Sequence, residues 1–387
     1  MRADNFQERI WAEVDLDALD FNFSQIKKLL KAETKVLAIV IANAYGHGVL
    51  TCAKALLDAG ADYLGVATVD EAMELRQARI NAPILILGHI PACEAETVVA
   101  NSITPTVYTV ELAEALSRAA VSMHKTLPVH IKVNTGMERI GFDADATSDM
   151  IAVCKMPGLK AEGLFTHLAC ADEADSDVVH MQYQRFMDVA GKLSAAGIEI
   201  PIRHVLNSAG VFEFPQYQLE MVRVGIILYG HYSSDLIHKE KAELRPVMSI
   251  KGRVTHVHTV PAGSGVSYGW SYRAEHDLVA ATVPIGYADG YNRHLSNCAH
   301  MLAGGKRVPI IGKICMDQCM IDVSSVHTIT VGDEITIIGS DGESVITADE
   351  LAALADTISY EILCAIGRRI PRVYLRGGGA IDVLRLC

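Results

Sequence analysis

The chain lacks an excess of positive charge, long apolar runs and an apolar N-terminal segment. Its 34 lysines and arginines are outnumbered by 46 aspartates and glutamates, which gives a formal net charge of −12. This balance argues against a nucleic-acid partner and against an anionic membrane surface. No apolar run approaches the ~18 residues of a membrane span, and no secretory signal precedes the first strand candidate. We therefore expect a cytoplasmic protein.

Paired cysteine motifs are also missing. The nine cysteines are odd in number and scattered, and the closest pair, Cys315 and Cys319, does not have the Cys-x-x-Cys spacing. Scattered thiols are typical of a reduced protein rather than of a disulfide framework or a zinc site. We therefore expect no bound metal.

The chain is long and rich in apolar residues. With 387 residues, of which 50% are hydrophobic, it can bury a large core and form two domains. Up to about residue 245, short apolar segments alternate with helical patterns, which predicts a (β/α)₈ TIM-type barrel over residues 1–245. A doubly wound parallel sheet is the alternative. The predicted strands are 36–41, 63–67, 84–88, 104–108, 129–134, 162–167, 203–206 and 222–228.

The pattern changes after Leu244-Arg-Pro. Residues 246–387 consist mainly of strand-like segments separated by glycine-containing turns, which predicts a second, mainly β domain. One helix is predicted over residues 347–356, where Thr347 and Glu350 have the spacing of a capping box. The predicted strands of this domain are 249–260, 278–285, 307–311, 320–323 and 334–338.

The stretch from Val36 to Gly48 is the clearest local signal. We predict a buried strand over residues 36–41, followed by the polar segment Asn43-Ala-Tyr-Gly-His-Gly48 and then a helix from Val49. The two glycines allow a sharp turn and a close approach of a ligand to the backbone. An ordinary strand-to-helix turn explains this stretch equally well.

Polar residues follow several of the predicted barrel strands. Active sites of barrels lie at the C-terminal ends of the strands, so these side chains are expected to converge. A lysine inside a buried strand also needs a partner or a chemical role. Each residue taken alone also has a purely structural interpretation, and the convergence is what favours a site. The candidates are Lys132, Arg139, His167, Ser208, Arg223, Gly225 and Ile226, and in the second domain the glycine-flanked Tyr268 and Tyr287.

Three sequence motifs form a specific combination, namely Ala42-Asn-Ala-Tyr-Gly-His-Gly48, Lys132-Val-Asn-Thr-Gly-Met-Glu-Arg-Ile-Gly141 and Val266-Ser-Tyr-Gly269. Together they resemble the alanine racemases, which are pyridoxal 5′-phosphate (PLP) enzymes made of a barrel and a β domain. The resemblance implies interconversion of L- and D-alanine for peptidoglycan synthesis by two bases on opposite faces of the substrate. It also implies a head-to-tail homodimer, with one base, Tyr268, contributed by the partner subunit.

The resemblance also assigns the cofactor contacts. His167 is expected to lie against the pyridine ring, and Arg223 to donate to the ring nitrogen. A guanidinium holds its proton firmly, so that nitrogen would stay unprotonated, which limits transamination. The residues expected around the phosphate are Tyr45, Ser208, Gly225, Ile226 and Tyr360.

The substrate contacts follow in the same way. Arg139 matches the residue that faces the cofactor phenolate and the substrate carboxylate, and the Met316 amide would assist. Tyr287 and Tyr360 would narrow the entrance to favour alanine. Lys132 matches a position that is often carbamylated, and a carbamate there would orient Arg139.

One position departs from the family. The lysine that anchors PLP and serves as the second base precedes Ala-Asn-Ala-Tyr-Gly in the family, and here that position is Ile41. Isoleucine cannot bind PLP covalently or carry a proton, and loss of one positioned base alone costs ~10²–10⁴-fold. We expect the fold and the cofactor contacts to survive and racemisation to be impaired. The alternatives are a non-catalytic PLP-binding protein, a serine-preferring racemase, or another PLP enzyme such as a decarboxylase or aldolase.

Overall fold

A computed structural model describes residues 8–173 and 176–385 of the chain. It contains two compact units. The barrel unit comprises residues 20–44 and 49–244, and the β unit comprises the chain up to Leu19, residues 45–48 and the chain from Arg245. The N-terminal strand and a four-residue segment after the first barrel strand therefore belong to the β unit. Across the described residues, no helix is long and apolar enough to cross a membrane.

The barrel unit is built around eight parallel strands. The eighth strand pairs with the first, and the Arg223 N–H donates to the Leu206 carbonyl at 3.0 Å beside the seventh, which closes the sheet. Each of the eight predicted apolar segments overlaps one of these strands, several of which begin one to three residues earlier than predicted, so the predicted barrel is confirmed. In order they are Lys35–Ile39, Tyr63–Val66, Ile84–Ile86, Thr104–Val107, Leu127–Asn134, Leu159–Phe165, Ile202–His204 and Met221–Val224, and Phe142–Asp143 pairs with the fifth.

Helices alternate with the barrel strands and carry the caps that the sequence indicates. Thr68 Oγ1 accepts from the Glu71 N–H at 3.2 Å, as the Thr-x-x-Glu spacing predicts. Apolar residues of both strand faces are fully buried, as in other parallel barrels. The helices are Leu16–Lys28, Val49–Asp58, Val69–Gln77, Ala95–Ala100, Val110–Ser122, Thr147–Cys154, Ser176–Ala195 and Ser208–Glu213.

The β unit contains an eight-stranded sheet, a three-stranded sheet and a two-stranded sheet. The first consists of Lys306–Pro309, His300–Ala303, Glu334–Asp341, Met248–Arg253, Ile10–Asp15, Arg372–Arg376 and Gly379–Leu384, with Ser344–Ile346 beside Glu334–Asp341. The second consists of His256–Val260, Leu278–Val283 and Cys319–Asp322, and the third of Gly265–Val266 and Tyr272–Arg273. The helices are Ala348–Leu354 and Ser359–Cys364.

The predicted mainly β architecture of this unit is confirmed, with differences in detail. A second helix, Ser359–Cys364, is present where only one helix was predicted, and strands such as His300–Ala303 and Arg372–Arg376 were not predicted. The single strand predicted over residues 249–260 is two strands, because the chain leaves the large sheet after Arg253 and enters the small sheet at His256. The predicted 347–356 helix is Ala348–Leu354, and Thr347 Oγ1 accepts from the Glu350 N–H at 3.0 Å.

Candidate active site

The chain makes an unusual turn after the first barrel strand. Residues 42–45 all have positive φ, between 50° and 57°, so that Ile41–Tyr45 forms a single left-handed helical turn. L-residues other than glycine adopt this conformation at a cost of about 1–2 kcal/mol each. The predicted strand 36–41 is therefore too long: it ends at Ile39, and Val40 and the half-buried Ile41 lie beyond it. Strain of this kind is concentrated at functional sites.

The left-handed turn is held by side chains of the barrel unit. Glu71 accepts from the Ala42 N–H and the Ala67 N–H, both at 2.7 Å, one with each carboxylate oxygen. Asn43 Oδ1 accepts from the Val49 N–H at 2.8 Å, which caps the following helix. These contacts do not involve the side chain of Ile41, so the turn can form without a lysine there.

Residues 45–48 are held within the β unit. Arg372 Nε donates to the Gly46 carbonyl at 2.9 Å, and the rings of Tyr45 and Tyr360 lie 6.0 Å apart. Burial and the neighbouring Tyr360 raise the pKa of the Tyr45 hydroxyl, which keeps it protonated and able to donate. The structure thus brings together two of the five predicted phosphate-binding residues.

Arg223 lies on the eighth barrel strand, and hydrogen bonds from both of its terminal NH₂ groups hold its side chain in place. Its NH1 group donates to His204 Nδ1 at 3.1 Å and to the His204 carbonyl at 2.9 Å. Its NH2 group lies 2.8 Å from the Thr166 carbonyl, 3.1 Å from the Val205 carbonyl and 3.3 Å from His167 Nδ1. Within the described part of the chain, no acceptor lies at hydrogen-bond distance from Nε. That N–H remains available for a ligand.

Lys132 lies close to Arg223 without a compensating carboxylate. It is only 4% exposed, and its Nζ stands 4.6 Å from the centre of the Phe165 ring. Among residues 8–173 and 176–385, no carboxylate lies within ion-pair distance of this nitrogen. Burial, together with Arg223 and Arg139, lowers the pKa of Lys132 well below its usual value. A neutral amine in this position is nucleophilic.

His167 follows the sixth strand and is neutral in this environment. Burial, with Arg223, Lys132 and Arg139, lowers the pKa of His167 to about 2. Because Arg223 can only donate, His167 Nδ1 is an acceptor and its proton lies on Nε2. Arg139 itself lies exposed beyond the fifth strand.

The loops after the seventh and eighth strands meet as predicted. Ser208 Oγ accepts from the Gly225 N–H at 2.9 Å, and Asn207 caps the helix that begins at Ser208 by accepting from the Gly210 N–H. Ile226 is buried directly after Gly225. Barrel enzymes commonly bind phosphate between these two loops.

The three remaining candidate residues of the β unit are exposed to solvent. Tyr268 is 69% exposed, Met316 53% and Tyr287 45%. The backbone around Tyr268 is strained, since Ser267 and Trp270 have φ values of 64° and 47°. Ser267 Oγ donates to the Lys313 carbonyl at 2.6 Å, which anchors this loop to the 312–318 segment. Across the described residues, no group of three His, Cys, Asp or Glu side chains is placed to hold a metal ion.

Comparison with known sequences decides the family. A family model described as "Alanine racemase, N-terminal domain" matches residues 14–233, and "Alanine racemase, C-terminal domain" matches residues 247–374. The chain belongs to the alanine racemase family. It is 42% identical to an alanine racemase of Clostridium tetani, with 97% of each chain covered, and 46% identical to one of Desulfovibrio desulfuricans, with 96% and 99% covered.

Solved alanine racemase structures share the fold. The chain is 40% identical to the alanine racemase of Clostridium difficile 630, with a TM-score of 0.94 and 99% of this chain and 100% of that one covered. It is 36% identical to the Bacillus anthracis alanine racemase with bound L-Ala-P, with a TM-score of 0.93 and 98% of each chain covered.

The residues fit the PLP used by this family except at one position. The unused Nε–H of Arg223 suits an unprotonated ring nitrogen, and the cations Arg139 and Arg223 suit the anionic groups of the cofactor and substrate. Ile41 offers only a hydrocarbon side chain, so the structure provides no amine there to bind PLP covalently.

His130 and His204 lie next to Arg223 and Lys132 but were not among the residues predicted for the site. Both are fully buried. The alternation His130-Ile-Lys132 could have revealed the first, because residues two apart on a strand share a face and Lys132 was a candidate. His204 could not be found in this way, since only its bond to Arg223 shows its role.

Proposed function

We propose that this chain binds PLP and alanine as alanine racemases do, and that Ile41 prevents it from racemising alanine at the rate of a complete enzyme. The observation that carries the proposal is the buried Arg223 with one uncommitted N–H. The positive charge around Arg223 suits an anionic cofactor. The strained turn at Ile41–Tyr45 is also present, although the side chain of Ile41 has no group that could react with the cofactor.

The cofactor would be held by non-covalent contacts. Arg223 Nε–H would donate to the ring nitrogen, and the neutral His167 would lie against the ring. Tyr45, Ser208, Gly225, Ile226 and Tyr360 would surround the phosphate. When bound, PLP withdraws electrons from the substrate α-carbon and so acidifies its hydrogen. Because Arg223 keeps its own proton, it holds the ring nitrogen unprotonated and limits that withdrawal.

The substrate and its proton would be handled mainly by exposed groups. Arg139 and the Met316 amide would bind the carboxylate, and Tyr287 and Tyr360 would limit the side chain to the size of alanine. The Tyr268 hydroxyl oxygen of a partner subunit would exchange a proton on one face of the α-carbon. The opposite face would lack a base, because Ile41 cannot take or return a proton.

A head-to-tail homodimer follows from this assignment. The barrel domain, 1–245, would bind PLP and the β domain, 246–387, would supply Tyr268 to the neighbour. Tyr268 and Trp270 are both largely exposed in a single chain, as expected for residues that meet another surface. In a Trp11→Phe variant, where Trp270 is the only remaining tryptophan, emission should shift to shorter wavelength as concentration rises. Emission independent of concentration, with a monomeric mass, would refute the dimer.

Lys132 would be carbamylated in the working site. Its neutral amine would attack CO₂, forming an N–C bond and releasing a proton, and the resulting anion would lie near Arg139 and Arg223. The carbamate would thus place a negative charge beside two guanidinium groups, where an anion is favoured. Carbon NMR after equilibration with ¹³C-labelled bicarbonate should show one carbamate signal, and Lys132→Gln should abolish it.

The decisive experiment restores the amine at position 41. We expect Ile41→Lys to racemise L-alanine with added PLP at least about a hundredfold faster than the unmodified chain, since a positioned base is worth ~10²–10⁴-fold. Ile41→Met is the matched control, because methionine is flexible and similar in size but has no amine. No activity in the PLP-loaded Ile41→Lys protein would overturn the racemase assignment. Equal activity of Ile41→Lys and the unmodified chain would overturn the impairment.

A non-catalytic PLP-binding protein is the second candidate, and Ile41 itself favours it. It predicts tight PLP binding by the unmodified chain and no racemisation even after Ile41→Lys. The substrate preference is tested in the same assay by comparing alanine with serine, since a serine-preferring enzyme would reverse the order of kcat/KM.

A further inference from the structure

A row of polar side chains extends through the barrel interior away from Arg223. His204 Nδ1 lies 3.1 Å from Arg223 NH1, and His204 Nε2 lies 2.9 Å from His130 Nδ1. His130 Nε2 lies 3.6 Å from Glu162 Oε2, just beyond hydrogen-bond distance, and has no hydrogen-bond partner among the described residues. Both histidines are fully buried, and Glu162 is half-buried. The row therefore connects the barrel-mouth arginine to a carboxylate that solvent reaches.

The positions of the protons along this row follow from one fact about arginine. A guanidinium only donates, so His204 Nδ1 must be an acceptor. The proton of neutral His204 then lies on Nε2 and is donated to His130 Nδ1. His130 in turn carries its proton on Nε2, which points at the Glu162 carboxylate. Every donor in the row points from Arg223 towards Glu162.

Burial supports neutral rings in this arrangement. It lowers the pKa of His204 well below its usual value, with Arg223 adding to the effect, and it also lowers the pKa of His130. The contact with His130 is the main cause that lowers the pKa of Glu162, so the carboxylate at the end of the row stays ionised.

The packing is shaped for the two rings. A Cβ on Gly163, in the sixth strand, would lie 2.2 Å from His130 Nδ1, so a side chain there is incompatible with the observed ring position. The Phe165 ring stacks on His204 with centroids 4.6 Å apart and 5° between the planes. The Arg223 guanidinium lies 5.3 Å from the centre of the same Phe165 ring.

The far end of the row opens into a separate cavity. This cavity, of about 400 Å³, is lined by residues at the N-terminal ends of barrel strands, including Tyr63, Thr104, Pro128 and Glu162. The Tyr63 hydroxyl donates to Glu162 Oε2 at 3.2 Å, which orients the carboxylate towards His130. The carboxylate that ends the row is thus held in place on the side of the barrel opposite to the active site.

We propose that Glu162, His130 and His204 form a positioning relay. From the far end of the row, the carboxylate stabilises the tautomers that Arg223 requires, and His204 thereby holds Arg223 with its Nε–H free for the cofactor ring nitrogen. The last step rests on the proposed function, whereas the tautomers do not. If His204 carried its proton on Nδ1, two N–H groups would face each other in the barrel interior, and Arg223 would have to move. None of the three residues is a catalytic residue; they act through Arg223.

The relay is tested first without cofactor. In protein labelled with ¹⁵N-histidine, long-range nitrogen–proton NMR spectra distinguish protonated from unprotonated ring nitrogens, and His130→Gln and His204→Gln identify the two rings by loss of signal. We expect both rings to be neutral with the proton on Nε2 at neutral pH. A protonated Nδ1 on His204 in the unmodified chain would overturn the relay.

Two substitutions then break the row from different sides. Glutamine is isosteric with Glu162, whose side chain is 20% exposed, so the fold should survive Glu162→Gln. A glutamine NH₂ group that donates to His130 Nε2 should shift the ring signals of His130 and His204. Gly163→Ala should displace the His130 ring by steric contact, whereas Gly191→Ala, with nothing within 4 Å of its new Cβ, is the matched control. If Glu162→Gln and Gly163→Ala both leave the two rings unchanged, the relay is refuted.

The cofactor readout separates this inference from the proposed function. PLP titrations followed by absorbance should show that Glu162→Gln binds PLP about tenfold more weakly than the unmodified chain, which corresponds to the loss of roughly one hydrogen bond. Gly191→Ala should bind PLP as tightly as the unmodified chain. Absence of PLP binding in every protein would refute the proposed function while the tautomer result stands. Unchanged PLP affinity in Glu162→Gln, with shifted ring signals, would refute the link from the relay to Arg223.

Discussion

Two regions of the molecule differ most in how much of their surface a single chain covers. They are the barrel-mouth cluster, formed by Lys132, His167 and Arg223, and the Tyr268 loop, residues 267–270. Arg223 and Lys132 are each 4% exposed, whereas Tyr268 is 69% exposed. In the barrel, backbone carbonyls and histidines fix the Arg223 guanidinium, and the Lys132 amine lies over the Phe165 ring. In the β unit, the predicted catalytic phenol stands on a strained loop in solvent. This difference in exposure is what the proposed function requires, because that proposal assigns Tyr268 to the site of a partner subunit.

The two units also hold their functional backbone differently. The left-handed turn in the barrel unit is fixed by acceptors, namely both carboxylate oxygens of Glu71 and the side-chain oxygen of Asn43. The segment 45–48 in the β unit receives one hydrogen bond, from Arg372 to the Gly46 carbonyl, and is also packed too closely for a side chain at Gly48. A Cβ on Gly48 would lie 1.8 Å from the Tyr374 hydroxyl. Polar contacts position the first segment, whereas close packing adds to a polar contact in the second.

The largest effect should come from removing the buried arginine. Arg223→Leu leaves the carbonyls of His204, Thr166 and Val205 without their donor, and we expect a loss of roughly 3–5 kcal/mol in the free energy of unfolding. Urea unfolding of the cofactor-free protein measures it, with the m-value as a check on the two-state assumption.

Arg203→Leu is the control for this prediction. Arg203 pairs with Glu220 through two hydrogen bonds, but about a third of its side chain is exposed. An ion pair of this kind is worth at most ~1 kcal/mol. If Arg223→Leu and Arg203→Leu lose the same free energy of unfolding, the buried hydrogen bonds of Arg223 stabilise the barrel no more than an exposed ion pair does. The contrast drawn between the two regions would then be wrong.

The barrel could be predicted from the sequence because each of its strands is a short apolar run. Such a run can be recognised without knowing which other strand it pairs with. It also indicated Lys132, His167 and Arg223, since each follows or interrupts such a run. It could not show that Val40 and Ile41 leave the strand, because apolar residues suit both a strand and the tight turn that follows. The placement of Ile10–Asp15 inside the large sheet of the β unit was equally hidden, because that pairing joins residues far apart in sequence.

The next effect tests the close packing of the β unit. Gly48 and Gly332 have similar positive φ values, 99° and 97°, but only Gly48 has a neighbour where a Cβ would stand. Gly332→Ala should cost about 1–2 kcal/mol from backbone strain alone. Gly48→Ala should cost about 3 kcal/mol, because overpacking against Tyr374 adds to the strain. Thermal and urea unfolding measure both, and equal costs would show that the ring of Tyr374 yields.

The smallest effect is a pH dependence that belongs to the barrel-mouth cluster. The folded chain lowers the pKa of His167 to about 2 from an ordinary value of 6.5. Between these values the unfolded chain binds a proton that the folded chain excludes, so stability falls as pH decreases below 6.5 and is flat above it. His167 alone should contribute about 1 kcal/mol of this fall roughly between pH 6 and pH 5.

His167→Gln should reduce the slope of unfolding free energy against pH, and replacement of the exposed His276 by glutamine is the matched control. An unchanged slope in His167→Gln would mean that the ring accepts a proton beside three cations, and the barrel-mouth cluster would then be as open to water as the Tyr268 loop.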